Sequence, residues 1–465
     1  MTLDEYDWPR PMGLQPFAHQ KVTTEFLINN RKAFCFNEQG TGKTASVIWA
    51  TDYLMKLRLV KRVLVICPLS IMKSAWQQDL FQFAMHRTVA VAHGTPTKRR
   101  EIIRSGAEFV IINFDGVGIV KEALIDAEFD LVVVDEASAY KNAQTDRWKD
   151  LRDLCKTVKG LWMLTGTPAA QSPVDAYGLA KLVNPTGVSP FFGQFRDLVM
   201  TKISMYKWIP KPNSDRIIHK ALQPAIRFEK AQCLDLPPIT HMFRDAPLTP
   251  QQTAFYKKLK SQKLIEAAGE EVSAVNAAAQ INKLLQISCG SVYTDSGEVV
   301  DFDVSNRLNV VQEAIEEASH KVLVFVPFTH SIDLLRRHLE KNRISCEVIN
   351  GAVSVNKRSD IVQRFQTNDA TKVLIIQPQA ASHGLTLTAA NTVIWYAPVT
   401  SVETYLQANA RIDRPGQKNN MTVVHVKGSQ IEGKLYSMLQ SNINNHNKII
   451  ELYREEFEEE ELLTM

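Results

Sequence analysis

Short apolar runs alternate with helix-length segments along this chain, and the alternation occurs in two series. Runs that are this short and this uniformly apolar are typical of parallel strands buried on both faces. The runs are residues 33–36, 62–67, 109–113, 131–134 and 161–164 in the first series, and 322–326, 346–349, 373–376, 392–396 and 423–426 in the second. The pattern predicts two α/β domains, each a mostly parallel sheet flanked by helices.

The length of the chain agrees with two domains. At 465 residues it exceeds one ordinary core and suits two domains of roughly 200 residues each. The strongest internal break is the pair Pro237-Pro238. We therefore predict an N-terminal domain over residues 1–235 and a C-terminal domain over residues 236–465, with residues 185–230 as an insertion or bridge rather than a sheet layer.

Composition narrows the class of protein. Hydrophobic residues make up 45% of the chain, and no apolar run approaches the roughly 18 residues that a membrane span needs. The first residues lack the basic-then-apolar order of a signal peptide, so we expect a cytoplasmic protein with no membrane partner. The six cysteines are scattered without a Cys-x-x-Cys pair, which indicates neither a zinc cluster nor a disulfide framework.

Charge is distributed unevenly. The formal net charge is +4, but residues 451–465 hold seven acidic residues and one arginine, which leaves a basic remainder. A basic body is consistent with a polyanionic partner. The acidic tail is interpreted as a solvated helix end, with competition against nucleic acid as the alternative.

Residues 37–44, which read Asn-Glu-Gln-Gly-Thr-Gly-Lys-Thr, follow the first predicted strand. A glycine-rich turn between a strand and a helix lets backbone N–H groups surround phosphate oxygens, and Lys43 can reach the terminal phosphates. Asn37 stands where the general pattern has glycine. The phosphate-binding residues predicted here are Gly40, Thr41, Gly42, Lys43 and Thr44.

Asp135 and Glu136 end the fourth apolar run. A carboxylate delivered there by a strand can hold Mg²⁺ together with Thr44, and the adjacent carboxylate can activate water. A surface acidic pair is the alternative interpretation, but together with Lys43 the pair predicts ATP hydrolysis. We therefore expect ATP and Mg²⁺ as cofactors, with Lys43, Asp135 and Glu136 as catalytic residues.

Arg411 and Arg414 lie three residues apart ahead of Pro415-Gly416, which places them on one face if the segment is helical. Two such arginines could act as arginine fingers on the terminal phosphate, which implies that ATP is held between two lobes. A surface salt-bridge pair is the alternative. Near the fifth run, Thr165-Gly166 could relay the state of that phosphate or form a plain turn.

With these residues in hand, the chain resembles the superfamily 2 helicases and translocases, most closely the Swi/Snf-type DNA-dependent ATPases in a compact phage or bacterial form. The resemblance covers nearly the whole chain and includes these segments: residues 14–20, 67–70 with Trp76, 113–115, 135–142, 164–168, 236–238, 248–256, 324–329, 351–365, 384–388 and 411–414. It implies two tandem RecA-like domains with an ATP cleft between them. It also implies that Gln20 contacts adenine and that Gly384 belongs to the cofactor site.

The resemblance further implies contacts with nucleic-acid phosphates. The candidates are Ser70, Asn113, Thr165, Thr329, Ser382 and Thr386. A basic stretch, residues 202–230, contains Tyr206 and Trp208, which suit either a wedge that stacks on an unpaired base or packing between lobes. Departures from the family pattern are Ser138 in place of histidine and Ala381-Ser382-His383 where glycines are more common.

The predicted function is that of an ATP-dependent DNA translocase or helicase, expected to be a monomer. Phosphate contacts would make its binding to duplex or branched DNA sequence-independent, and fork or branch processing fits this function. An RNA helicase of the same architecture stays open. A metabolic ATP-using enzyme would leave the second sheet and the arginines without a role, and a catalytically silent adaptor would have lost an ATP-site residue.

Overall fold

The computed structural model describes residues 2–166, 169, 172–204, 208–233, 236–267, 274–293, 299–381 and 385–441. The chain divides into two compact units, Met1–Asp235 and Leu236–Met465. Four predicted features lie outside the described residues, namely Tyr206, Ser382, Gly384 and the acidic tail. Among the residues that the structure describes, no helix combines the length and the apolar character needed to cross a membrane.

The first unit is built on one parallel sheet and a separate antiparallel pair of strands. Its strands are β1 Lys32–Cys35, β2 Val63–Cys67, β3 Val89–Val91, β4 Phe109–Asn113, β5 Leu131–Asp135, β6 Gly160–Leu164, β7 Met200–Lys202, β8 Trp208–Pro210 and β9 Ala225–Ile226. In this unit the order of the sheet is β3-β4-β2-β5-β6-β1-β9, and β7 pairs with β8. Its helices are α1 Ala18–Asn29, α2 Lys43–Lys56, α3 Gln78–Phe83, α4 Pro96–Arg104, α5 Phe114–Ile119, α6 Lys121–Asp126, α7 Asp146–Leu154, α8 Ala176–Val183, α9 Phe192–Val199, α10 Ser214–Ala221 and α11 Lys230–Cys233.

The second unit is built on another parallel sheet and a further antiparallel pair of strands. Its strands are β10 Ile239–Asp245, β11 Ser291–Tyr293, β12 Val299–Asp301, β13 Lys321–Phe325, β14 Cys346–Ile349, β15 Val373–Ile376, β16 Ala390–Trp395 and β17 Met421–Lys427. In this unit the order of the sheet is β10-β17-β16-β13-β15-β14, and β11 pairs with β12. Its helices are α12 Pro250–Ala267, α13 Ala274–Cys289, α14 Ser305–Glu317, α15 Thr329–Lys341, α16 Val355–Thr367, α17 Pro378–Ala381, α18 Val402–Asn409 and α19 Gln430–Gln440.

These two sheets confirm the predicted fold class of two mostly parallel α/β domains. Every residue of β2 has zero exposure, and β4 and β6 are buried along their whole length. Helices cover both faces of such a sheet, which is why its strands are apolar at every position instead of at alternate positions.

The segment over residues 185–230 differs in one respect from the prediction. It is mostly helices α9 and α10 and the β7–β8 pair, as an insertion would be, but Ala225–Ile226 forms β9 at the edge of the main sheet. It pairs in parallel with Phe34 and Cys35 of β1. A strand of two residues is too short to give a periodic signal in the sequence, so the expectation that this segment adds nothing to the sheet is wrong for β9.

Strands β5, β6 and β1 are neighbours in the first sheet. Because they are parallel, their carboxyl ends lie at the same edge, where ligands bind in open α/β sheets. The phosphate loop follows β1, Asp135 ends β5 with Glu136 directly after it, and Thr165 follows β6.

Candidate functional site

The phosphate loop runs from the end of β1 to the start of α2, and two of its glycines have left-handed backbone angles. Gly40 has a φ of +83° and Gly42 a φ of +80°, a region that favours glycine. A Cβ atom on Gly42 would lie 2.1 Å from Nε2 of Gln20. Both the turn and the close approach of α1 therefore require glycine at position 42.

Lys43 is the first residue of α2, and its ammonium group turns back into the loop. Its Nζ donates to the carbonyl oxygens of Asn37, at 2.8 Å, and Glu38, at 3.2 Å. Gly42 is the N-cap of α2 and provides no side-chain cap for the first N–H groups of the helix. A helix N-terminus and an ammonium group on one short loop have the chemistry of a phosphate site.

Gln20 and its neighbour His19 brace this loop from α1. Nε2 of Gln20 donates to the Thr41 carbonyl at 3.3 Å, and Nε2 of His19 lies 2.8 Å from the same oxygen. Both side chains are buried, and Oε1 of Gln20 accepts from the backbone N–H of Phe17 at 3.0 Å. The predicted adenine contact of Gln20 stays a prediction, and the role of His19 was missed.

Asp135 ends β5 with both carboxylate oxygens engaged. Oδ2 accepts from Nε1 of Trp76 at 2.9 Å and Oδ1 from the Glu136 N–H at 3.0 Å. Loss of solvation raises the pKa of the Asp135 carboxyl, although the Trp76 hydrogen bond and the Lys43 charge act in the opposite direction. One poorly solvated carboxylate near a phosphate loop suits Mg²⁺, which takes few protein ligands and completes its shell with phosphate and water.

Glu136 adopts a left-handed backbone conformation, with φ +52° and ψ +53°. This region is costly for a residue with a Cβ atom, and such residues are concentrated at functional sites. This backbone conformation at Glu136 ends β5 immediately after Asp135.

Thr165 and Gly166 follow β6 and lie beside the phosphate loop. The N–H of Thr165 donates to the carbonyl of Cys35 at 3.1 Å, and the side chain of Thr165 is 1% exposed. A Cβ atom on Gly166 would lie 3.5 Å from Cγ of Gln39. The structure thus brings Thr165 together with the phosphate loop, a position that suits the relay better than a direct contact with nucleic acid.

The other two nucleic-acid candidates of the first unit differ in exposure. Ser70 lies in a short helical turn after β2 and is partly exposed. Asn113, the last residue of β4, is buried, and its Oδ1 accepts from Nη1 of Arg99 at 2.8 Å. Arg99, which is not among the predicted site residues, also donates from Nε to the Gly94 carbonyl.

The arginine segment of the second unit is not helical. Helix α18 ends at Asn409, so Arg411 and Arg414 lie in the turns that follow, and the helical segment that would place them on one face is not formed. Arg411 is 2% exposed and donates to the Leu385 carbonyl at 3.3 Å, which also excludes a surface position for it. Arg414 donates to the Ala410 carbonyl at 2.9 Å and to Oγ1 of Thr386 at 3.2 Å.

Gln417 fixes the end of this segment and was not predicted as a site residue. Its Nε2 donates to the Ala390 carbonyl at 2.8 Å and the Ile412 carbonyl at 3.3 Å, and its Oε1 accepts from the N–H groups of Lys418 and Asn419. The segment that carries both arginines is therefore tied to the start of β16.

The remaining candidates are exposed or engaged. Thr329, the first residue of α15, and Thr386 are exposed. Trp208, expected as part of a wedge, is partly exposed, and its ring lies 4.0 Å from the Arg196 guanidinium. That cation–π contact fixes the ring against α9.

Two family models match the chain. The SNF2-related domain model covers residues 19–289, and the helicase conserved C-terminal domain model covers residues 306–416. Two parallel α/β domains with a phosphate loop and these two matches are typical of nucleic-acid-dependent ATPases, the class of enzyme predicted from the motifs. The chain belongs to the SNF2-related family, which confirms the predicted resemblance to the Swi/Snf-type ATPases.

Individual relatives are distant. The chain is 26% identical to the chromodomain-helicase-DNA-binding protein 1-like of Danio rerio, over 94% of this chain and 44% of that protein. It is also 26% identical to an uncharacterized ATP-dependent helicase of Mycoplasma genitalium, over 84% of this chain and 37% of that protein. The chain thus spans less than half the length of these curated relatives. A solved Sulfolobus solfataricus SWI2/SNF2 ATPase core in complex with dsDNA is 23% identical, covers 93% of this chain and 92% of its own, and gives a TM-score of 0.47.

Proposed function

We propose that this protein is an ATP-dependent DNA translocase that couples ATP hydrolysis to movement along DNA. The observation that carries the proposal is the edge of the first sheet, where the Lys43 loop, the Asp135-Glu136 strand end and Thr165 follow three neighbouring strands. Membership in the SNF2-related family supports the same proposal.

Each residue of the candidate site has its own proposed role in binding or hydrolysing ATP. Lys43 and the N-terminus of α2 would hold the phosphates, while Thr44 and Asp135 would hold Mg²⁺. The ion, when bound, would neutralise charge on the phosphate oxygens. Glu136 would orient a water molecule and take its proton. The roles of Gln20, Arg411 and Arg414 on the nucleotide stay predictions that kinetics can test.

DNA is the proposed track. The Danio rerio relative is named as a DNA-binding helicase, and the body of this chain carries the positive charge that a polyanion requires. The exposed residues Thr329 and Thr386 and the partly exposed Ser70 carry hydroxyl groups that suit contacts with backbone phosphates, which carry no sequence information. Asn113 and its partner Arg99 are both buried, so Asn113 would position the end of β4 instead of contacting a phosphate itself.

The proposal is tested by ATP turnover of the purified protein on a panel of nucleic acids. The panel contains single-stranded DNA, duplex DNA, a fork, a four-way junction and RNA, with strand displacement measured on the same samples. We expect DNA to stimulate turnover and the stimulation to fall steeply with added salt. Stimulation by RNA alone would overturn the choice of DNA. Displacement or branch movement would show whether forks or junctions are processed.

The catalytic assignment has its own test in Glu136→Gln. The variant should still bind ATP, while hydrolysis should fall by roughly 10²- to 10⁴-fold, the usual contribution of a general base. Glu128→Gln is a matched control, because Glu128 is an exposed glutamate of the same unit with a φ of +51°. Equal turnover in the two variants would remove Glu136 from the mechanism.

A further inference from the structure

Residues 226–230 lie against the phosphate loop, and we call them the connecting segment because they precede the start of the second unit at Leu236. Backbone hydrogen bonds continue from β9 into the loop. The N–H of Phe36 donates to the Ile226 carbonyl at 2.8 Å, and the N–H of Glu38 donates to the Phe228 carbonyl at 2.9 Å. The start of the phosphate loop is therefore hydrogen-bonded to the connecting segment through the backbone.

Asn37 adds a side-chain link at the same place. Its Oδ1 accepts from the N–H of Phe228 at 2.9 Å, and its Nδ2 donates to Oγ1 of Thr23 at 2.9 Å. Thr23 in turn donates to the His19 carbonyl at 2.7 Å. Asn37 is 1% exposed, so both ends of its amide are used in a buried chain of bonds from α1 to the connecting segment.

Glu38 provides a second link. Its Oε2 accepts from the N–H of Lys230 at 2.9 Å, and its Oε1 lies 3.6 Å from Nη2 of Arg227. The side chains of Asn37 and Glu38 thus hold both ends of residues 228–230.

The backbone of these two residues also holds Lys43. Its ammonium group donates to the carbonyls of Asn37 and Glu38, as described above. Phosphate oxygens are charged and form stronger hydrogen bonds with an ammonium group than neutral carbonyls do. Binding of a nucleotide would therefore draw Lys43 away from the two residues that hold the connecting segment.

We propose that Asn37 and Glu38 are positioning residues that couple nucleotide binding at Lys43 to the connecting segment, and through it to the chain entering the second unit. This inference rests on the proposed function. It explains why asparagine stands at a position where the general phosphate-loop pattern has glycine. Glycine could bind phosphate equally well, but it would leave the Phe228 N–H without its Asn37 acceptor and would remove the donor to the Thr23 hydroxyl.

Cys233 provides a reporter for this coupling. It is a partly exposed free thiol in α11, three residues after Lys230, and burial together with the Glu38 carboxylate raises its pKa. The other partly exposed thiols, Cys155 and Cys346, are replaced by serine in the test background. The rate of maleimide modification at Cys233 is measured by peptide mass, with and without a saturating non-hydrolysable ATP analogue and Mg²⁺. Binding of a fluorescent ATP analogue is measured on the same samples.

We expect the analogue to change the modification rate by about threefold or more in the parent protein, as a modest population shift would. Asn37→Gly should bind the fluorescent nucleotide and lose this response. Asn37→Asp keeps the acceptor for Phe228 and should retain it. Glu38→Ala, at a partly exposed side chain, should weaken the response, so the test does not depend on one buried substitution.

Thr24→Val is the matched control. Thr24 is a buried threonine of α1 next to Thr23, and its hydroxyl donates to the Ser46 carbonyl of α2 instead of joining the Asn37 chain of bonds. Its response should equal that of the parent. Nucleotide binding without any change at Cys233, or an undiminished response in Asn37→Gly, would overturn this inference alone. Absence of nucleotide binding in the parent would overturn the proposed function and this inference with it.

Discussion

The phosphate loop of the first unit and the buried pair Arg307–Glu432 of the second unit hold their charges in different ways. Lys43 is partly exposed and donates to two neutral carbonyls. Arg307 is 2% exposed, its Nη2 donates to both carboxylate oxygens of Glu432 at 2.8 and 2.9 Å, and Glu432 has zero exposure. The first charge has partners that an anion can replace, whereas the second is neutralised within the fold.

This difference separates function from stability. A cation that rests on weak neutral partners retains most of its capacity to bind an anion, which an active site needs. The charges of a buried ion pair are already neutralised by each other, so neither is available to bind an anion. Removal of one partner leaves the other charge buried and unpaired, which destabilises the fold. A substitution at Lys43 should therefore lower ATP turnover and leave the unfolding free energy nearly unchanged. A substitution in the Arg307–Glu432 pair should lower the unfolding free energy.

The largest effect is expected at Lys43. Lys43→Ala removes the ammonium from the phosphate loop, and ATP turnover should fall below detection. The unfolding free energy should change by less than about 0.5 kcal/mol, as is usual for a residue outside the core. Steady-state phosphate release and urea denaturation measure the two quantities. Lys156→Ala, at an exposed lysine, controls for loss of one positive charge. Near-normal turnover in Lys43→Ala would remove the assignment.

Arg414 tests whether the second unit also contains a charge that serves function. The partners of Arg414 include the Ala410 carbonyl and the Thr386 hydroxyl, which resemble those of Lys43 more than those of Arg307. If Arg414 is an arginine finger, Arg414→Ala should lower kcat by roughly 10³-fold with saturating DNA, and folding should be unchanged. Arg336→Ala, an exposed arginine of α15, is the control. An unchanged kcat would assign Arg414 to structure.

The buried strands of the two sheets could be predicted from the sequence, whereas a mostly exposed strand could not. Residues 109–113 were predicted as a strand and form β4 because a strand buried on both faces is apolar throughout. Strand β10 was missed because it lies at the sheet edge, is mostly exposed, and contains His241, Arg244 and Asp245. Apolar patterning therefore reports buried strands and gives little signal for a mostly exposed edge strand such as β10.

The local parts of the candidate site could also be predicted from the sequence, whereas its long-range contacts could not. Glycine and lysine spacing identified the phosphate loop because that chemistry is local. The three-residue spacing of Arg411 and Arg414 fits a helix and a turn equally well, and the bonds of Gln417 to β16 belong to the turn. Asn37 was interpreted only as a departure, because its partner Phe228 lies 191 residues away. Long-range hydrogen bonds leave no periodic trace in a sequence.

In contrast to Lys43, Glu432 should contribute mainly to the unfolding free energy of the second unit. Glu432→Ala leaves Arg307 without its carboxylate and deprives the Gly428 and Ser429 N–H groups of an acceptor. The expected loss is about 3–5 kcal/mol of unfolding free energy in the second unit, measured by urea denaturation with hydrogen exchange in β16. The control is Glu347→Ala, because the Arg364–Glu347 pair lies at the surface and should contribute about 0–1 kcal/mol. Equal losses would contradict the assignment of the buried pair to stability.

A smaller, pH-dependent effect is expected at His425, which has zero exposure. Its Nε2 lies 2.8 Å from the Tyr405 hydroxyl, and its Nδ1 lies 3.3 Å from the Met242 carbonyl. The neutral ring meets both partners if Nδ1 donates and Nε2 accepts. Burial lowers the pKa of His425 from 6.5 to about 4, helped by the nearby His241.

The sign of the effect follows from which state binds the proton. Between pH 6.5 and pH 4 the unfolded chain is protonated at His425 while the fold keeps the ring neutral, so the second unit should lose roughly 2–3 kcal/mol as the pH falls through this window. His425→Gln should remove this part of the acid dependence, measured as the difference in unfolding free energy between pH 7 and pH 4.5. His320→Gln, at an exposed histidine of the same unit, should leave the difference unchanged. An identical acid dependence in His425→Gln would show that another buried group of the second unit binds the proton, and the contrast with the phosphate loop would then depend on the Arg307–Glu432 pair alone.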